Sequence, residues 1–331
     1  MSAYALARVR SSPSLALIKY WGKKPGTQNL PATTSIALTL AGLDTRSELR
    51  ALPPGEPDLV RLGGAEQPPE RLASFFNEAR RLFKTELSFS VSSENSFPSS
   101  AGLASSSSGF AALALGCAGL AGLPAGQRRD ALASEAARLG SASAARALYG
   151  GFTLLPAGAR KAEALYSADY WPELRILVAL TSAAPKEDSS RGAMERTRLS
   201  SPYYRAWLKD SKTLSREALS ALASRDQERL GELMRLSYLR MHASAMAADP
   251  PALYWLPGSM AVIRACAALR ARGIGAWETM DAGPQVKILC MAGDLAAIKR
   301  VLLEAWPSLS LLETGAGPAP ELTLDEGTGQ P

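Results

Sequence analysis

The residues best suited to chemistry lie in a serine-rich stretch that runs directly into an apolar segment. Residues 97–116 read FPSSAGLASSSSGFAALALG, and the pattern predicts a helix from about Ser106 to Ala121. Gly102 lets the backbone approach a ligand closely. Ser105 and Ser106 take the cap and first turn, where free N–H groups and the helix dipole favour anions. The stretch lacks the Gly-Lys-Ser/Thr ending of a Walker P-loop. It predicts a loop that binds phosphate, with a plain serine cap as the alternative.

A second motif combines hydroxyls with a guanidinium. Residues 140–152 read GSASAARALYGGF, in which Gly140 ends one predicted helix and Ser141 and Ser143 begin another. Arg146 follows within the same short helix. Two hydroxyls, a helix N-terminus and an arginine together predict a cradle for an oxyanion. The alternative is a capped helix with a surface arginine.

A third motif places an acid at the end of a strand. Residues 280–289 read MDAGPQVKIL, so Asp281 precedes an Ala-Gly-Pro turn. A strand-end aspartate that faces a cleft is a candidate base. The alternative is an aspartate that satisfies its own turn.

The amino-acid composition limits the kinds of catalytic or metal site that the chain can form. The chain has 331 residues, one histidine and three cysteines. A single histidine, His242, excludes a histidine-rich metal site, and any Ser-His-Asp triad would depend on it; we expect a structural role. The widely spaced Cys117, Cys266 and Cys290 predict reduced thiols without a disulfide or zinc framework.

Charge and hydropathy limit the kinds of molecule that the protein is expected to bind. The net charge is +6, the basic residues are scattered, and aromatic residues make up 7% of the chain. This favours a solvated surface or a site for a small anion over nucleic acid binding. No apolar run is long enough for a membrane span, and the N-terminus does not resemble a signal peptide, so the sequence predicts a cytoplasmic protein.

The predicted elements give an α+β protein with two lobes that share one cleft. Strands and glycine-rich turns dominate the first part, and long helices at about 193–209, 215–223, 226–246 and 257–272 dominate the second. We therefore predict an N-terminal lobe over 1–182 and a C-terminal lobe over 183–331. The glycine- and proline-rich tail is predicted to be partly disordered.

The three motifs together resemble the GHMP kinase superfamily. Its phosphate loop has the form Pro-x-x-x-Gly-Leu-x-Ser-Ser, which residues 98–106 match. Within the superfamily, the chain resembles the diphosphomevalonate decarboxylase family over nearly its whole length, through ALIKYWGKK, KEDSSRGAM and MHASAM in addition to the three motifs. The resemblance implies a two-lobed fold, with an N-terminal lobe like domain 2 of ribosomal protein S5 and a ferredoxin-like C-terminal lobe. The active site would lie in the cleft between the lobes.

The resemblance also implies a reaction, in which ATP with Mg²⁺ phosphorylates the C3 hydroxyl of mevalonate 5-diphosphate. Phosphate and CO₂ then leave, and isopentenyl diphosphate remains. The implied protein is a cytoplasmic homodimer of the mevalonate pathway, without nucleic acid or membrane partners. Mg²⁺ would be held through the ATP phosphates, with Ser106 as a candidate protein ligand.

The resemblance also implies a role for each residue of this chain that matches a functional position of the family. Asp281 would orient or deprotonate the C3 hydroxyl, Arg146 would hold the substrate carboxylate, and Lys23 would also serve catalysis. The implied substrate-binding residues are Tyr20, Lys23, Ser141, Ser143, Arg146, Ser190, Arg191 and Ser14. The implied ATP-binding residues are Asn95, Pro98, Ala101, Gly102, Leu103, Ala104, Ser105 and Ser106. Strand alternation predicts that Lys19 and Trp21 face away from Tyr20 and are structural.

The chain departs from the family pattern at four positions. Ser14 and Thr33 replace asparagines that are common in the family, and Ser107 and Ser108 replace small alanines. Three alternatives stay open: a relative that acts on mevalonate 5-phosphate or only phosphorylates C3, an ATP-binding regulator with an inactive site, and, more remotely, a serine hydrolase.

Overall fold

Helices and strands alternate along the computed structural model, which describes residues 4–97, 105–182, 184 and 189–326. The strands of these segments are β1 Tyr4–Ser11, β2 Ser14–Ile18, β3 Ser35–Thr39, β4 Thr45–Leu52, β5 Leu59–Leu62, β6 Ala65–Gln67, β7 Ser88–Asn95, β8 Phe152–Leu155, β9 Glu163–Tyr166, β10 Leu174–Leu180, β11 Trp277–Met280, β12 Val286–Met291, β13 Ser310–Thr314 and β14 Glu321–Glu326. The α-helices are α1 Glu70–Phe83, α2 Ser105–Leu120, α3 Gln127–Gly140, α4 Ser190–Ser200, α5 Tyr204–Ala223, α6 Gln227–Met246, α7 Pro257–Arg270 and α8 Leu295–Ala305. Short 3₁₀ helices span Ala142–Leu148 and Ala168–Tyr170.

The strands form three sheets within the described residues. A six-stranded sheet has the order β14-β1-β4-β7-β5-β6, and two four-stranded sheets have the orders β2-β3-β8-β9 and β11-β12-β10-β13. All pairs are antiparallel except β5 with β7. The predicted α+β class is confirmed.

Helix α2 is buried against the six-stranded sheet because it carries small side chains. Twelve of its sixteen residues are buried, most of them alanine, glycine or leucine. A Cβ added at Gly116 would lie 2.6 Å from the Cδ1 atom of Leu49 on β4, so only glycine allows this approach. Helices α1 and α3 cover the same core. The N-terminus of α2 is thereby fixed relative to the sheet.

A continuous apolar core joins the lobes. Side chains from β2 and β3 pack with β10, α5 and α6 in one cluster, while α7 and α8 cover the sheet that contains β11 and β12. The ends of β2 and β11 are therefore held close together across the interface, and the site lies there.

The predicted helix at 193–209 is wrong in its bounds. The structure instead has α4 over Ser190–Ser200 and α5 over Tyr204–Ala223. Pro202 accounts for the break, because a proline disfavours helical geometry in the residue before it.

The chain crosses between the lobes more than once. Strand β10 precedes residue 182 but pairs with β12 and β13, and β14 returns to pair with β1. The tail was predicted to be partly disordered, yet Glu321–Glu326 forms a strand. A boundary at residue 182 stays a prediction, since the sheets exchange strands on both sides of it.

Candidate active site

The centre of the site is the carboxylate of Asp281, directly after β11. Lys19 donates to its Oδ1 atom from 2.6 Å, and the Nζ atom of Lys287 lies 3.2 Å from its Oδ2 atom. Lys19 follows β2 and Lys287 lies in β12, so both lobes supply a cation to one carboxylate. The Asp281 side chain keeps 25% exposure, whereas both lysines are buried.

The prediction that Lys19 faces away from Tyr20 and is structural is wrong, because both residues line the same cavity. Strand β2 ends at Ile18, so the alternation assumed for this stretch does not extend to Lys19. The backbone N–H of Lys19 donates to the Oγ atom of Ser237, and its Nζ atom also donates to the carbonyl of Ala16 at 2.8 Å. These contacts aim its ammonium at Asp281.

Trp21 packs in the protein core and also lines the site. It is buried in an apolar cluster, its ring meets that of Tyr254 edge-on with centroids 6.4 Å apart, and its carbonyl accepts from Trp207 Nε1. It also lines the cavity above Asp281.

Burial and ion pairing act in opposite directions on this centre. Burial lowers the pKa of Lys19 from 10.5 to about 8, although Asp281 raises it in part. Burial alone would raise the pKa of Asp281, but Lys19 and Lys287 together hold it well below its usual range. The carboxylate is therefore ionised at neutral pH.

Arg146 is the third cation of the pocket, and it is 2% exposed. Its Nε atom donates to Ser14 Oγ at 3.3 Å and its Nη1 atom to Ser35 Oγ at 2.6 Å. Burial lowers the pKa of Arg146 from 12.5 to about 10, so it stays charged near neutrality. The alternative of a surface arginine is wrong, and Ser35 is a partner that sequence reasoning missed.

Two neighbouring cavities share one wall at the N-terminus of α2. The first, of about 140 Å³, is lined by Ser14, Lys19, Tyr20, Ser143, Arg146, Ser190 and Asp281, and also by Ser106. The second, of about 630 Å³, is lined by Asn95, Ser105 and, again, Ser106. Ser106 thus stands between the Asp281 pocket and a space large enough for a bigger ligand.

A cationic rim adjoins the first cavity. The Nζ atom of Lys23 donates to Asn29 Oδ1 at 2.5 Å, and Arg191 Nη2 donates to the carbonyl of Gly140 at 3.1 Å. Burial, followed by the charge of Arg191, lowers the pKa of Lys23 to about 8. Arg191 therefore lies near enough to Lys23 for the two positive charges to repel one another.

Hydroxyl groups complete this rim. The Oγ atoms of Ser141 and Ser143 are 3.0 Å apart and hydrogen-bonded. The hydroxyl of Tyr20 is buried and has no hydrogen-bond partner among the described residues. Burial raises its pKa, so it stays a neutral donor.

Ser107 and Ser108, two departures from the family pattern, fasten the first turn of α2. Ser107 Oγ accepts from the backbone N–H of Ser14 at 3.2 Å, and Ser108 Oγ lies 2.6 Å from Thr45 Oγ1. Thr45 in turn donates to Asn95 Oδ1 at 2.7 Å. The helix end and the Arg146 partner Ser14 are therefore linked directly.

The predicted ATP loop lies partly outside the described residues. Pro98, Ala101, Gly102, Leu103 and Ala104 lie outside the described residues. Ser105, Ser106 and Asn95 lie within them and border the larger cavity. The predicted adjacency of the loop and α2 therefore stays a prediction for those five residues.

His242 has a structural environment. It is fully buried, its Nδ1 atom accepts from Trp255 Nε1 at 2.8 Å, and burial lowers its pKa to about 3. A neutral imidazole that accepts at Nδ1 carries its proton on Nε2. It is therefore poorly suited to act as the base of a serine hydrolase.

No cluster of three or more histidine, cysteine or acidic side chains able to hold a metal ion occurs in the part of the chain that the structure describes. Within the same part, no helix is both long and apolar enough to cross a membrane.

The two-lobed α+β fold and the paired cavities define a GHMP kinase-type enzyme. Residues 11–166 match the family described as diphosphomevalonate decarboxylase-like N-terminal domain. Residues 176–321 match the mevalonate 5-diphosphate decarboxylase C-terminal domain. The chain belongs to the mevalonate 5-diphosphate decarboxylase family.

Individual relatives agree with this assignment. The chain is 32% identical over 337 residues to the diphosphomevalonate decarboxylase of Ganoderma lucidum, which covers 93% of this chain and 83% of the relative. A solved structure described as MDDEF in complex with MVAPP, AMPPCP and magnesium is 34% identical with a TM-score of 0.89, covering 98% of this chain and 100% of the other. The Staphylococcus aureus mevalonate diphosphate decarboxylase is 30% identical with a TM-score of 0.89, covering 96% and 98%.

Proposed function

We propose that this protein catalyses the ATP-dependent decarboxylation of mevalonate 5-diphosphate to isopentenyl diphosphate, with release of ADP, phosphate and CO₂. One observation carries the proposal: the pocket of Asp281, Lys19 and Arg146 shares the wall at Ser106 with a larger cavity at a helix N-terminus. A small hydroxy acid in the first cavity would lie next to the phosphate chain of a nucleotide in the second.

The charges of the pocket suit a substrate with a carboxylate beside a tertiary alcohol. Arg146, oriented by Ser14 and Ser35, would bind the C1 carboxylate through its planar guanidinium. Asp281 would accept a hydrogen bond from the C3 hydroxyl. Because both of its oxygens already face ammonium groups, its low pKa favours an orienting role over full proton abstraction.

The chemical steps follow from this placement. The C3 oxygen attacks the terminal phosphoryl group of ATP, its proton passes to an oxygen of the transferred phosphoryl group, and ADP leaves. The C3–O bond then breaks with its electron pair on the phosphate. Electrons of the C1–C2 bond form the C2=C3 double bond as CO₂ departs, and the cations of Lys19 and Arg146 hold the carboxylate in line until it leaves.

ATP binding is assigned to the second cavity. Ser105 and Ser106 begin α2, where free N–H groups and the helix dipole favour phosphate, and Asn95 lines the same cavity. The similar MDDEF structure holds AMPPCP and magnesium. Mg²⁺ would neutralise charge on the transferred phosphoryl group, and the hydroxyl of Ser106 is the described side chain best placed to approach it.

The diphosphate is assigned to the rim of Lys23, Arg191, Ser141, Ser143 and Tyr20. Lys23 and Arg191 supply positive charge, and three hydroxyls supply neutral donors. Ser190, at the start of α4, lines the same cavity as Asp281. The proposal includes a cytoplasmic homodimer; sedimentation of the purified protein would test the dimer, and fractionation of the cells would test the location.

The deciding experiment is to incubate the protein with ATP and either mevalonate 5-diphosphate or mevalonate 5-phosphate. Equal amounts of ADP, phosphate and CO₂ from the diphosphate support the proposal. A preference for the monophosphate would change the substrate, and ADP without CO₂ would indicate phosphorylation alone. The absence of ADP with both substrates would indicate an inactive nucleotide-binding protein.

A further inference from the structure

Lys287 is a buried cation that the three sequence motifs and the implied family roles leave without a function. It lies in β12 between Val286 and Ile288, and it is 1% exposed. Lysine is seldom fully buried without a partner, because removing an ammonium from water is energetically unfavourable. The partner here is Asp281, whose Oδ2 atom lies 3.2 Å from Nζ.

The two lysines meet the carboxylate from different sides. Lys19 lines the cavity and contacts Oδ1, so it faces the space that the substrate would occupy. Lys287 comes from the second lobe's sheet, is not among the residues that line the described cavity, and contacts Oδ2. Lys287 is thus placed to act on Asp281 without touching the substrate.

We propose that Lys287 is a positioning residue, which fixes the Oδ2 atom of Asp281 so that the carboxylate stays ionised and turned toward the substrate hydroxyl. An ionised carboxylate has about four acceptor sites, so two ammonium contacts leave acceptor capacity for that hydroxyl. The proposal rests on the role given to Asp281 in the proposed function.

Other charged and titratable groups around Asp281 do not replace Lys287. Lys19 lines the cavity and already contacts the Oδ1 atom, and Arg146 donates to its two serine partners. His242 on α6 also interacts with Asp281, but burial lowers its pKa to about 3, so it is neutral. Tyr20 is neutral as well. Among the residues that the structure describes, Lys287 is the cation that contacts the Oδ2 atom.

A purely structural role for Lys287 would also make its loss destabilising, so stability alone does not test the proposal. The discriminating property is dependence on Asp281. If Lys287 acts through Asp281, its removal changes turnover when the carboxylate is present and has no further effect when Asp281 is already asparagine.

The experiment compares Lys287→Met and Lys287→Gln in the parent and in the Asp281→Asn background. We expect Lys287→Met to lower kcat by about 10- to 100-fold, because a carboxylate displaced by about 1 Å costs up to that much. Lys287→Gln keeps a hydrogen-bond donor, so its kcat should fall less than that of Lys287→Met. In the Asp281→Asn background, kcat should be the same with and without Lys287→Met. The KM for ATP should change by less than about threefold.

A surface variant and a second readout complete the test. Lys299→Met removes an exposed ion pair with Glu313 and should leave kcat unchanged. The ionisation of Asp281 is followed independently of turnover by the carboxyl ¹³C shifts of aspartate-labelled protein, with Asp281→Asn giving the assignment. Its titration should move to higher pH in Lys287→Met, by about one pH unit or more.

The outcomes separate the two proposals. Equal kcat in the parent and both Lys287 variants, an additive loss in the Asp281→Asn background, or an unshifted Asp281 titration would each overturn the role of Lys287. Should Lys287→Met fail to fold, Lys287→Gln and the double variant, which removes both charges, provide the same comparisons. Failure of the parent to convert mevalonate 5-diphosphate would overturn the proposed function, while the titration would still decide the role of Lys287.

Discussion

Replacing Arg146 by lysine keeps a positive charge but should remove most activity. Arg146 donates through two different nitrogens to Ser14 and Ser35. A lysine has one nitrogen, so it can retain at most part of this arrangement. It also cannot grip a carboxylate through two parallel hydrogen bonds.

The size of the effect follows from these contacts. A hydrogen bond from a charged donor contributes about 1.5–3 kcal/mol. Losing one serine contact and one of two contacts with the substrate carboxylate would cost about 3–6 kcal/mol. Since about 1.4 kcal/mol is a factor of ten, kcat/KM for mevalonate 5-diphosphate should fall by roughly 10²–10⁴-fold. The KM for ATP should change far less.

The activity of the Arg146→Lys variant should also depend more steeply on pH than that of the parent. Burial lowers the pKa of Arg146 only to about 10, so the arginine stays charged through the usual assay range. The same pocket lowers the pKa of Lys19 from 10.5 to about 8. A lysine at position 146 would therefore lose its proton on the alkaline side, and the ratio of variant to parent activity should fall as the pH rises.

The assay is CO₂ release from carboxyl-labelled substrate together with ADP formation, over pH 6–9. Arg80→Lys is the matched control, because Arg80 is largely buried with Asp58 and its side chain lines neither cavity. It should leave kcat/KM unchanged. A folded Arg146→Lys protein with kcat/KM within about threefold of the parent would refute the assignment of Arg146 to the carboxylate.

Four further predictions follow from the same geometry. Asp281→Asn should lower kcat by about 10²–10⁴-fold while substrate still binds in calorimetry; parent-level turnover would make Asp281 a turn residue. Ser106→Ala should raise the KM for ATP about tenfold or less, through the loss of one hydrogen bond, and leave that for mevalonate 5-diphosphate unchanged; the reverse pattern would contradict its placement. Ser14→Asn should lower the KM for mevalonate 5-diphosphate if the serine leaves a substrate contact unfilled, and an unchanged or higher KM would indicate that water or Arg146 already fills it. In the parent, kcat should fall as the pH rises through about 8, because Lys19 is charged below its lowered pKa and neutral above it; a flat profile to pH 9.5 would show that its charge is not needed.

The sequence predicted those parts of the site that lie in local motifs. Asp281, Arg146 and Ser106 belong to three separate stretches, and the structure brings them around one pair of cavities. Each of these residues has a structural alternative on its own, so the prediction depended on the three motifs occurring together.

The partners of these residues were harder to predict because they depend on long-range packing. Lys19 was misjudged since strand periodicity was extended one residue too far. Lys287 carried a usable signal, a single lysine inside the apolar strand VKILCM, yet only the fold shows that its partner is Asp281. The contact of Ser107 with Ser14 joins residues 93 positions apart, and no local pattern specifies it.

The pairing of β14 with β1 has a consequence for how the chain could be reconnected. Tyr4 lies opposite Glu326, so the two ends of the described chain are side by side at the edge of the six-stranded sheet. A short linker between them, with new ends in the exposed loop at 53–57, would give a circular permutant that keeps both cavities intact. In that permutant β14 and β1, which are the most distant pair of the sheet along the present chain, become consecutive strands of a hairpin. The contact order of the fold would fall, and the first sheet should assemble faster.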